Sequence, residues 1–223
     1  IEMVQEFNRY GIDITSEGFV APLVGIIGHS WHFWHNWSQV FAGEERIPFI
    51  AMIYHGGPTT WGNGGQNGFY PQESALHGAS FSTDWTKHID DKTIAWATYL
   101  VVVPWNTLRD RKMQNYVRTG DMQRVIYDDD TWVEVNSVTG DWTVMVDGKT
   151  LVKNDVVTIV HDDMIALYSE KDAEVSCEIP AALQGRELVC RSAFSGEVVA
   201  AEISVSRVTV SLKAKEPVLI QPK

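Results

Sequence analysis

Residues 131–148 read TWVEVNSVTGDWTVMVDG, and this stretch decides the kind of fold that the C-terminal part of the chain adopts. Apolar and polar residues alternate over 131–135 and again over 142–146, which is the period of a strand with one buried face. Asp147-Gly148 follows directly and is a typical hairpin turn pair. The stretch therefore predicts neighbouring antiparallel strands.

More runs of this kind follow at similar spacing. They cover residues 156–160, 164–168, 187–190, 203–210 and 217–220, the last expected at a sheet edge. Short strands about ten residues apart are typical of a sandwich of two antiparallel sheets. We expect residues 120–223 to form a β-sandwich domain.

The first half follows a different pattern, in which strands, polar loops and helices alternate. Strands are predicted at 12–15, 47–54 and 97–103, and helices at 2–10, 72–80, 86–95 and 109–118. Parallel strands buried on both faces have such apolar runs, and long loops after them resemble the last part of a (β/α)8 barrel. A whole barrel needs about 250 residues. Residues 1–119 are therefore predicted as its C-terminal portion, which makes the fold α/β plus all-β.

The net charge and the composition indicate which classes of binding partner are disfavoured. The formal net charge is −11, with 11 acids against 8 bases up to residue 119 and 18 against 10 beyond it. Such a balance disfavours nucleic acid and anionic lipid and suits a neutral ligand such as a sugar. No apolar run reaches 18 residues, so we expect no membrane span. Cys177 and Cys190 are expected as two buried thiols, or else as one disulfide.

The first residues predict the middle of a helix, and no signal-peptide pattern precedes them. We therefore expect the natural polypeptide to extend upstream, and any targeting segment would lie there. Localisation stays open between extracellular and cytoplasmic.

Glu17 is the candidate catalytic residue. It follows the predicted strand at 12–15, and barrel active sites lie at the carboxyl ends of strands. Glycoside hydrolysis needs two carboxyl groups, one of them an acid whose pKa neighbouring apolar or aromatic surface raises. Asp13 on the same strand would lie about 13 Å from Glu17. That is too far for the second carboxyl group, so the partner is expected upstream, with Asp84 and Glu73 as weaker candidates.

Residues 28–37, GHSWHFWHNW, offer indoles for stacking on sugar rings and polar groups for hydroxyls. Trp31, Trp34 and His35 are the candidate substrate-binding residues here. The alternative is a helix that buries its tryptophans, since Trp31, Trp34 and Trp37 have helical spacing. A metal site is not expected, because the histidines lack the usual partners.

Three more candidate sugar-binding residues follow the later predicted strands. His55 and Trp61 lie in the glycine-rich loop at 55–70, and Trp105 follows the strand predicted at 97–103. That loop lacks the P-loop pattern and opens no helix with a dinucleotide-binding pattern. We expect no cofactor.

Residues 8–19, NRYGIDITSEGF, resemble a segment of the α-N-acetylgalactosaminidases of glycoside hydrolase families 101 and 129. The resemblance implies a barrel followed by β domains, a retaining mechanism, and the role of general acid/base for Glu17. It also implies an aspartate nucleophile on an earlier strand. No residue of this chain can take that role, because only 16 residues precede Glu17. The chain is therefore expected to be a fragment that lacks its nucleophile.

Two other functions compete with the glycosidase. In one, the β-sandwich alone acts as a non-catalytic carbohydrate-binding module through Trp132 or Trp142, although both alternate with apolar neighbours in the manner of core residues. In the other, it is a structural module without a ligand.

Overall fold

The computed structural model describes residues 15–17, 29–31, 59–63, 71–78, 80–82 and 90–223. The first four strands form a parallel sheet in chain order. They are β1 Thr15–Glu17, β2 His29–Trp31, β3 Thr59–Asn63 and β4 Ser80–Ser82. Parallel pairing agrees with the α/β pattern expected for this half. The strand predicted at 47–54 and the helix at 2–10 lie outside the described residues.

The described part of the first half also contains helices, the last of which ends at Leu108. They are α1 Pro71–His77, α2 Asp91–Ala97, a π-helical segment Thr98–Val102 and α3 Val103–Leu108. Helix α2 begins after Asp90, whose Oδ1 accepts hydrogen bonds from the backbone N–H of Thr93 at 2.8 Å and from its hydroxyl at 2.7 Å. This N-cap satisfies a backbone donor that the first turn leaves open.

The strand predicted at 97–103 is wrong, because that stretch is helical from end to end. Its valines favour a strand locally, but Leu100 is buried in a core against the antiparallel sheet described next. Tertiary packing of this kind overrides a weak local preference. The helix predicted at 109–118 is also wrong, since α3 ends at Leu108 and residues 115–119 form a strand.

Twelve strands make up the rest of the chain. They are β5 Asn115–Thr119, β6 Met122–Asp128, β7 Thr131–Asn136, β8 Trp142–Val146, β9 Lys149–Lys153, β10 Val156–Val160, β11 Ile165–Ser169, β12 Ala173–Glu178, β13 Leu188–Ser192, β14 Ala201–Ile203, β15 Arg207–Leu212 and β16 Val218–Pro222. Nine of them form one antiparallel sheet in the order β13-β16-β11-β10-β9-β8-β7-β6-β5, and a second sheet has the order β12-β15-β14. Most strands predicted in this half are present.

The hairpin predicted at Asp147-Gly148 is confirmed. Both residues have positive φ, 48° and 72°, and they join β8 to β9. Two positive φ angles fit the right-handed twist of the strands on either side. The edge position predicted for residues 217–220 is wrong, because β16 lies between β11 and β13. Val218 and Ile220 are buried there, as suits an inner strand.

Two hydrophobic cores lie along the nine-stranded sheet. In the first, Leu76 of α1, Leu100 and Leu108 pack against strand residues such as Val133 and Val144. In the second, the strand residues Leu167 and Ile220 pack against Val175, Val210 and Leu212 of the smaller sheet. Two sheets thus face each other only at the second core, while helices cover the first. The nine-stranded sheet includes β5, so residues 115–119 pair with strands beyond the predicted domain boundary at 119/120.

Trp142 fills the centre of the first core. Its side chain is 2% exposed, and its indole Nε1 donates to Asp155 Oδ1 at 2.8 Å. Burial of an indole contributes stability only if its N–H keeps a partner, and Asp155 is that partner.

Cys177 and Cys190 are both buried, and both are free thiols, as the sequence led us to expect. Burial raises the pKa of Cys177 to about 11. The thiol is therefore neutral near pH 7, and a neutral thiol is a poor nucleophile.

Arg111, in the segment between α3 and β5, links two hairpins of the large sheet. Its guanidinium donates to Asp128 Oδ2 at 3.1 Å, to Thr131 Oγ1 at 2.9 Å and to Asp147 Oδ2 at 2.9 Å. The hydrogen bond from Arg111 is the largest influence that lowers the pKa of Asp147 below its ordinary value. A carboxyl group with a lowered pKa stabilises the fold above its unfolded pKa, and this contribution is lost as pH falls through the folded value.

We expect Asp147→Asn to lower stability at pH 7 but to change it less at an acidic pH below the lowered pKa of the folded state, where the wild-type carboxylate is itself protonated. Asparagine tolerates the positive φ of this position, so the substitution tests charge rather than backbone strain. Urea midpoints at the two pH values measure the difference. Asp129→Asn is the control, because Asp129 is exposed and has no ion pair within the described residues. An equal loss at both pH values would contradict the assignment.

Candidate active site

Three of the predicted site residues lie on neighbouring strands of the parallel sheet. Glu17 is the last residue of β1 and pairs in register with Trp31, the last residue of β2. On the other side of β2, His29 pairs with Thr59 and Ser30 with Thr60, and extending this parallel register by one residue sets Trp31 level with Trp61 in the middle of β3. Glu17, Trp31 and Trp61 therefore occupy one row across three strands, which we name the Glu17 row.

Strand spacing sets the scale of this row. Neighbouring strands lie about 4.8 Å apart, so the backbone positions of Glu17 and Trp61 are about 10 Å apart with Trp31 between them. The row thus sets the backbone positions of one glutamate and two tryptophans level with one another on three neighbouring strands.

The sequence predicted only part of the Glu17 row. Glu17 was expected at the end of a strand because the apolar pattern before it is local. The strand at His29–Trp31 was not expected, since residues 28–37 were interpreted as a loop or a helix. Trp61 was expected in a loop and lies in β3. Trp34, His35 and His55 lie outside the described residues.

Trp105 has a different position from the one expected. It lies in α3 and does not follow a strand, so the reason for predicting it as a sugar-binding residue at a strand end no longer holds. Its side chain is half-buried, and the Arg109 guanidinium sits 5.3 Å from the ring centre. A cation over the ring occupies a face that a sugar would need. Sugar binding by Trp105 stays a prediction without support from its position.

A polar cluster that sequence reasoning missed joins the helices to the large sheet. Tyr99 of the π-helical segment stacks on Tyr168 of β11, with ring centres 5.2 Å apart and planes within 3°. The Tyr168 hydroxyl donates to Glu170 Oε2 at 2.8 Å, and Lys215 Nζ lies 2.9 Å from Glu170 Oε1. Residues 97–103 were expected to form a strand, so nothing in the sequence reasoning placed Tyr99 near Tyr168.

The contacts of this cluster attach the helical segment to the large sheet. Burial, together with the hydrogen bond to Glu170, raises the pKa of Tyr168 well above its ordinary range. The phenol therefore stays protonated and acts as a donor, while Glu170 is balanced by Lys215. A π-helical turn often lies beside a functional site. Here, stacking and hydrogen bonding instead fix the helical segment on the sheet.

Trp132 and Trp142, the candidates for a sugar-binding β module, are not open platforms. Trp142 is core, as its alternating pattern indicated. Trp132 is half-buried, and the Arg124 guanidinium lies 4.4 Å from its ring centre. Sugar stacking needs an exposed aromatic face, so this position does not favour a binding module built on either residue.

Among the described residues, no three His, Cys, Asp or Glu side chains lie close enough together to hold a metal ion. No helix in the described part of the chain is long and apolar enough to cross a membrane.

No protein-family model matches this chain, and no curated protein sequence matches it. Three similar solved structures are glycoside hydrolases. One is a family 39 enzyme from Bacteroides cellulosilyticus, with 10% identity and a TM-score of 0.34, covering 92% of this chain and 47% of that one. Another is a family 30 subfamily 8 xylanase from Clostridium acetobutylicum, with 9% identity and a TM-score of 0.32, covering 98% and 58%.

The third is a family 27 β-L-arabinopyranosidase from Geobacillus stearothermophilus in complex with arabinose, with 9% identity, a TM-score of 0.33 and coverage of 100% and 61%. The chain thus spans roughly half to three fifths of the length of each. Likeness of this degree carries no argument about activity. The similarity of residues 8–19 to families 101 and 129 stays a prediction.

Proposed function

We propose that this chain is part of a retaining glycoside hydrolase, in which Glu17 is the general acid/base. The Glu17 row carries the proposal: a carboxyl group at the carboxyl end of a parallel strand, with Trp31 and Trp61 level with it. The proposed substrate is an α-linked N-acetylgalactosaminide or a similar hexoside, which follows from the resemblance of residues 8–19. The proposed architecture is the C-terminal part of a barrel followed by an all-β domain.

The proposed mechanism is a double displacement. Glu17 first protonates the glycosidic oxygen as the leaving group departs and a carboxylate nucleophile attacks the sugar. Glu17 then removes a proton from water, which cleaves the glycosyl-enzyme with net retention. Trp31 and Trp61 supply apolar faces for the sugar ring. Trp34, His35 and His55 are further proposed contacts from the same half of the chain.

The nucleophile is the part that this chain does not supply. A retaining pair needs carboxyl groups about 5–5.5 Å apart. Four residues of extended strand separate Asp13 from Glu17 in sequence, which predicts a spacing of about 13 Å, so we do not propose Asp13 as the partner. We assign the nucleophile to polypeptide upstream of Ile1, on an earlier strand of the same barrel.

Stereochemistry tests the proposal directly. The full-length polypeptide is incubated with an aryl α-N-acetylgalactosaminide, and the first anomer released is followed by proton NMR before it mutarotates. We expect the α-anomer first, and no turnover from residues 1–223 alone. Release of the β-anomer would contradict the retaining mechanism. Equal turnover by the short chain would contradict the upstream nucleophile.

A further inference from the structure

A groove of about 660 Å³ lies between the large sheet and the small one, in the all-β part of the chain. Val152 and Val157 belong to the first core, and the groove lies on the opposite face of β9 and β10. Its other wall is β12 with the loop that follows. A volume of this size is in the usual range for small-molecule sites, about 300–1,000 Å³.

Strand β12 forms part of one wall of the groove. It is an edge strand of the smaller sheet and pairs, among the described residues, only with β15. An edge strand leaves one row of N–H and C=O groups without a strand partner. Ser176 on β12 and Thr158 on β10 also line the groove, and Ser176 Oγ accepts a hydrogen bond from Thr209 Oγ1 at 3.1 Å. An occupant with many hydroxyl groups would find both donors and acceptors along this wall.

The side-chain charge of the groove is opposite to that of the chain. Lys149, Lys153 and Arg207 line it together with a single carboxylate, Glu178. None of these four has an ion pair within the described residues, although Glu178 lies opposite Arg207 in the strand register. This excess of cations stands out in a half of the chain with 18 acids against 10 bases.

Asp147 is an acidic neighbour of Lys149 that does not line the groove. The charge of Lys149 contributes to the lowered pKa of Asp147, so the two lie near each other. Asp147 Oδ2, however, accepts the hydrogen bond from Arg111 at 2.9 Å. The ammonium groups of Lys149 and Lys153 are therefore free to meet an anion in the groove.

The residues around the groove also indicate how a ligand is recognised. No Trp, Tyr or Phe lines it in the described part of the chain. Sites for neutral sugars rely on aromatic stacking. Cations and hydroxyls suit instead a ligand that carries both acidic groups and hydroxyls.

We propose that this groove binds an acidic oligosaccharide, a chain of sugars that carries carboxylate or sulfate groups. The choice of a saccharide over other polyanions rests on the proposed glycosidase function, whereas the choice of an anion rests on the groove alone. The site lies away from the Glu17 row in sequence and uses different chemistry. It would hold a charged substrate chain without cleaving it.

Calorimetric titration of the full chain tests the proposal with four probes of similar length. Oligogalacturonate carries carboxylates, chondroitin sulfate oligosaccharide carries sulfate as well, maltotetraose is uncharged, and tetrapolyphosphate is an anion without sugar. We expect one or both acidic saccharides to bind, more weakly as salt rises, and the uncharged one not to bind. Which acidic saccharide binds more tightly identifies the anionic group.

Lys149→Gln combined with Lys153→Gln is expected to weaken this binding at least roughly tenfold, since two charge-assisted contacts are lost. Lys112→Gln combined with Lys171→Gln removes the same charge from exposed positions that do not line the groove, and is expected to change binding less than about twofold. Thr158→Trp fills the groove without altering charge and should also reduce binding.

Three outcomes would overturn the proposal. They are no binding of either acidic saccharide, equal losses in the two lysine double variants, and binding of tetrapolyphosphate as tightly as of the saccharides. The heat of binding does not depend on turnover, so the same titration with Glu17→Gln separates this site from the proposed catalysis. Unchanged affinity in that variant, together with no glycosidase activity in the wild-type full-length enzyme, would reject the glycosidase and keep the groove as an anion-binding site.

Discussion

Glu17→Gln should lower the turnover of the full-length enzyme on an unactivated glycoside by about 10²–10⁴-fold, the usual contribution of a general acid/base. Glutamine keeps the size of the side chain but can neither protonate the leaving oxygen nor activate water. Initial rates on a natural-type disaccharide measure the effect. Glu174→Gln is the control, because Glu174 is an exposed glutamate on β12 and should leave the rate unchanged.

A second substrate, an aryl glycoside, separates the two roles proposed for Glu17. An aryl glycoside with a good leaving group needs little protonation, so the Glu17→Gln variant should retain its first step and accumulate the glycosyl-enzyme. Added azide, which attacks without a general base, should then restore turnover and give the glycosyl azide. A variant with near-normal turnover on the disaccharide would remove Glu17 from the mechanism, and the Glu17 row would lose its functional meaning.

Local chemistry explains what the sequence predicted well in this fold. The turn at Asp147-Gly148 needs only two adjacent residues that tolerate positive φ, and both adopt it. Alternation over 131–135 and 142–146 likewise depends on one strand at a time, and β7 and β8 lie there. Of the strand predicted at 12–15, the described residues include only Thr15, which begins β1, and Glu17 was predicted to follow that strand but lies within β1.

Long-range packing explains the failures. Nothing near residues 217–220 indicates that β16 lies between β11 and β13, because that pairing joins distant parts of the chain. The valines at 101–103 favour a strand, yet the N-cap at Asp90 and burial of Leu100 give a helix. The Asp90-Asp91 start was visible in the sequence, and following the helix further would have found Tyr99 on it.

The candidate site shows the same difference between local features, which the sequence predicted, and long-range ones, which it did not. The sequence placed a carboxyl group and several indoles in one half of the chain, which is a matter of composition. Their assembly in the Glu17 row depends on the register between β1, β2 and β3, and no local pattern encodes it. The groove with its lysines was missed for the same reason, since β12 reaches β10 only in the folded chain.

The other large effect concerns stability. Trp142→Ala should lower the free energy of unfolding by about 3–5 kcal/mol, the usual cost of truncating a buried aromatic residue. The indole is almost wholly buried in the first core, and its loss also leaves Asp155 Oδ1 without its donor. Urea denaturation followed by far-UV circular dichroism measures the change without relying on the tryptophan that is removed.

Trp132→Ala is the matched variant, since it makes the same truncation ten residues earlier in the same sheet. Trp132 is half-buried against Arg124, so we expect it to cost less than half as much as Trp142→Ala. Equal costs would mean that the two indoles are equally buried and that the first core is not centred on Trp142. A small cost for Trp142→Ala would contradict the assignment of Trp142 to the first core, because truncation of a buried aromatic side chain removes apolar contacts and leaves a cavity.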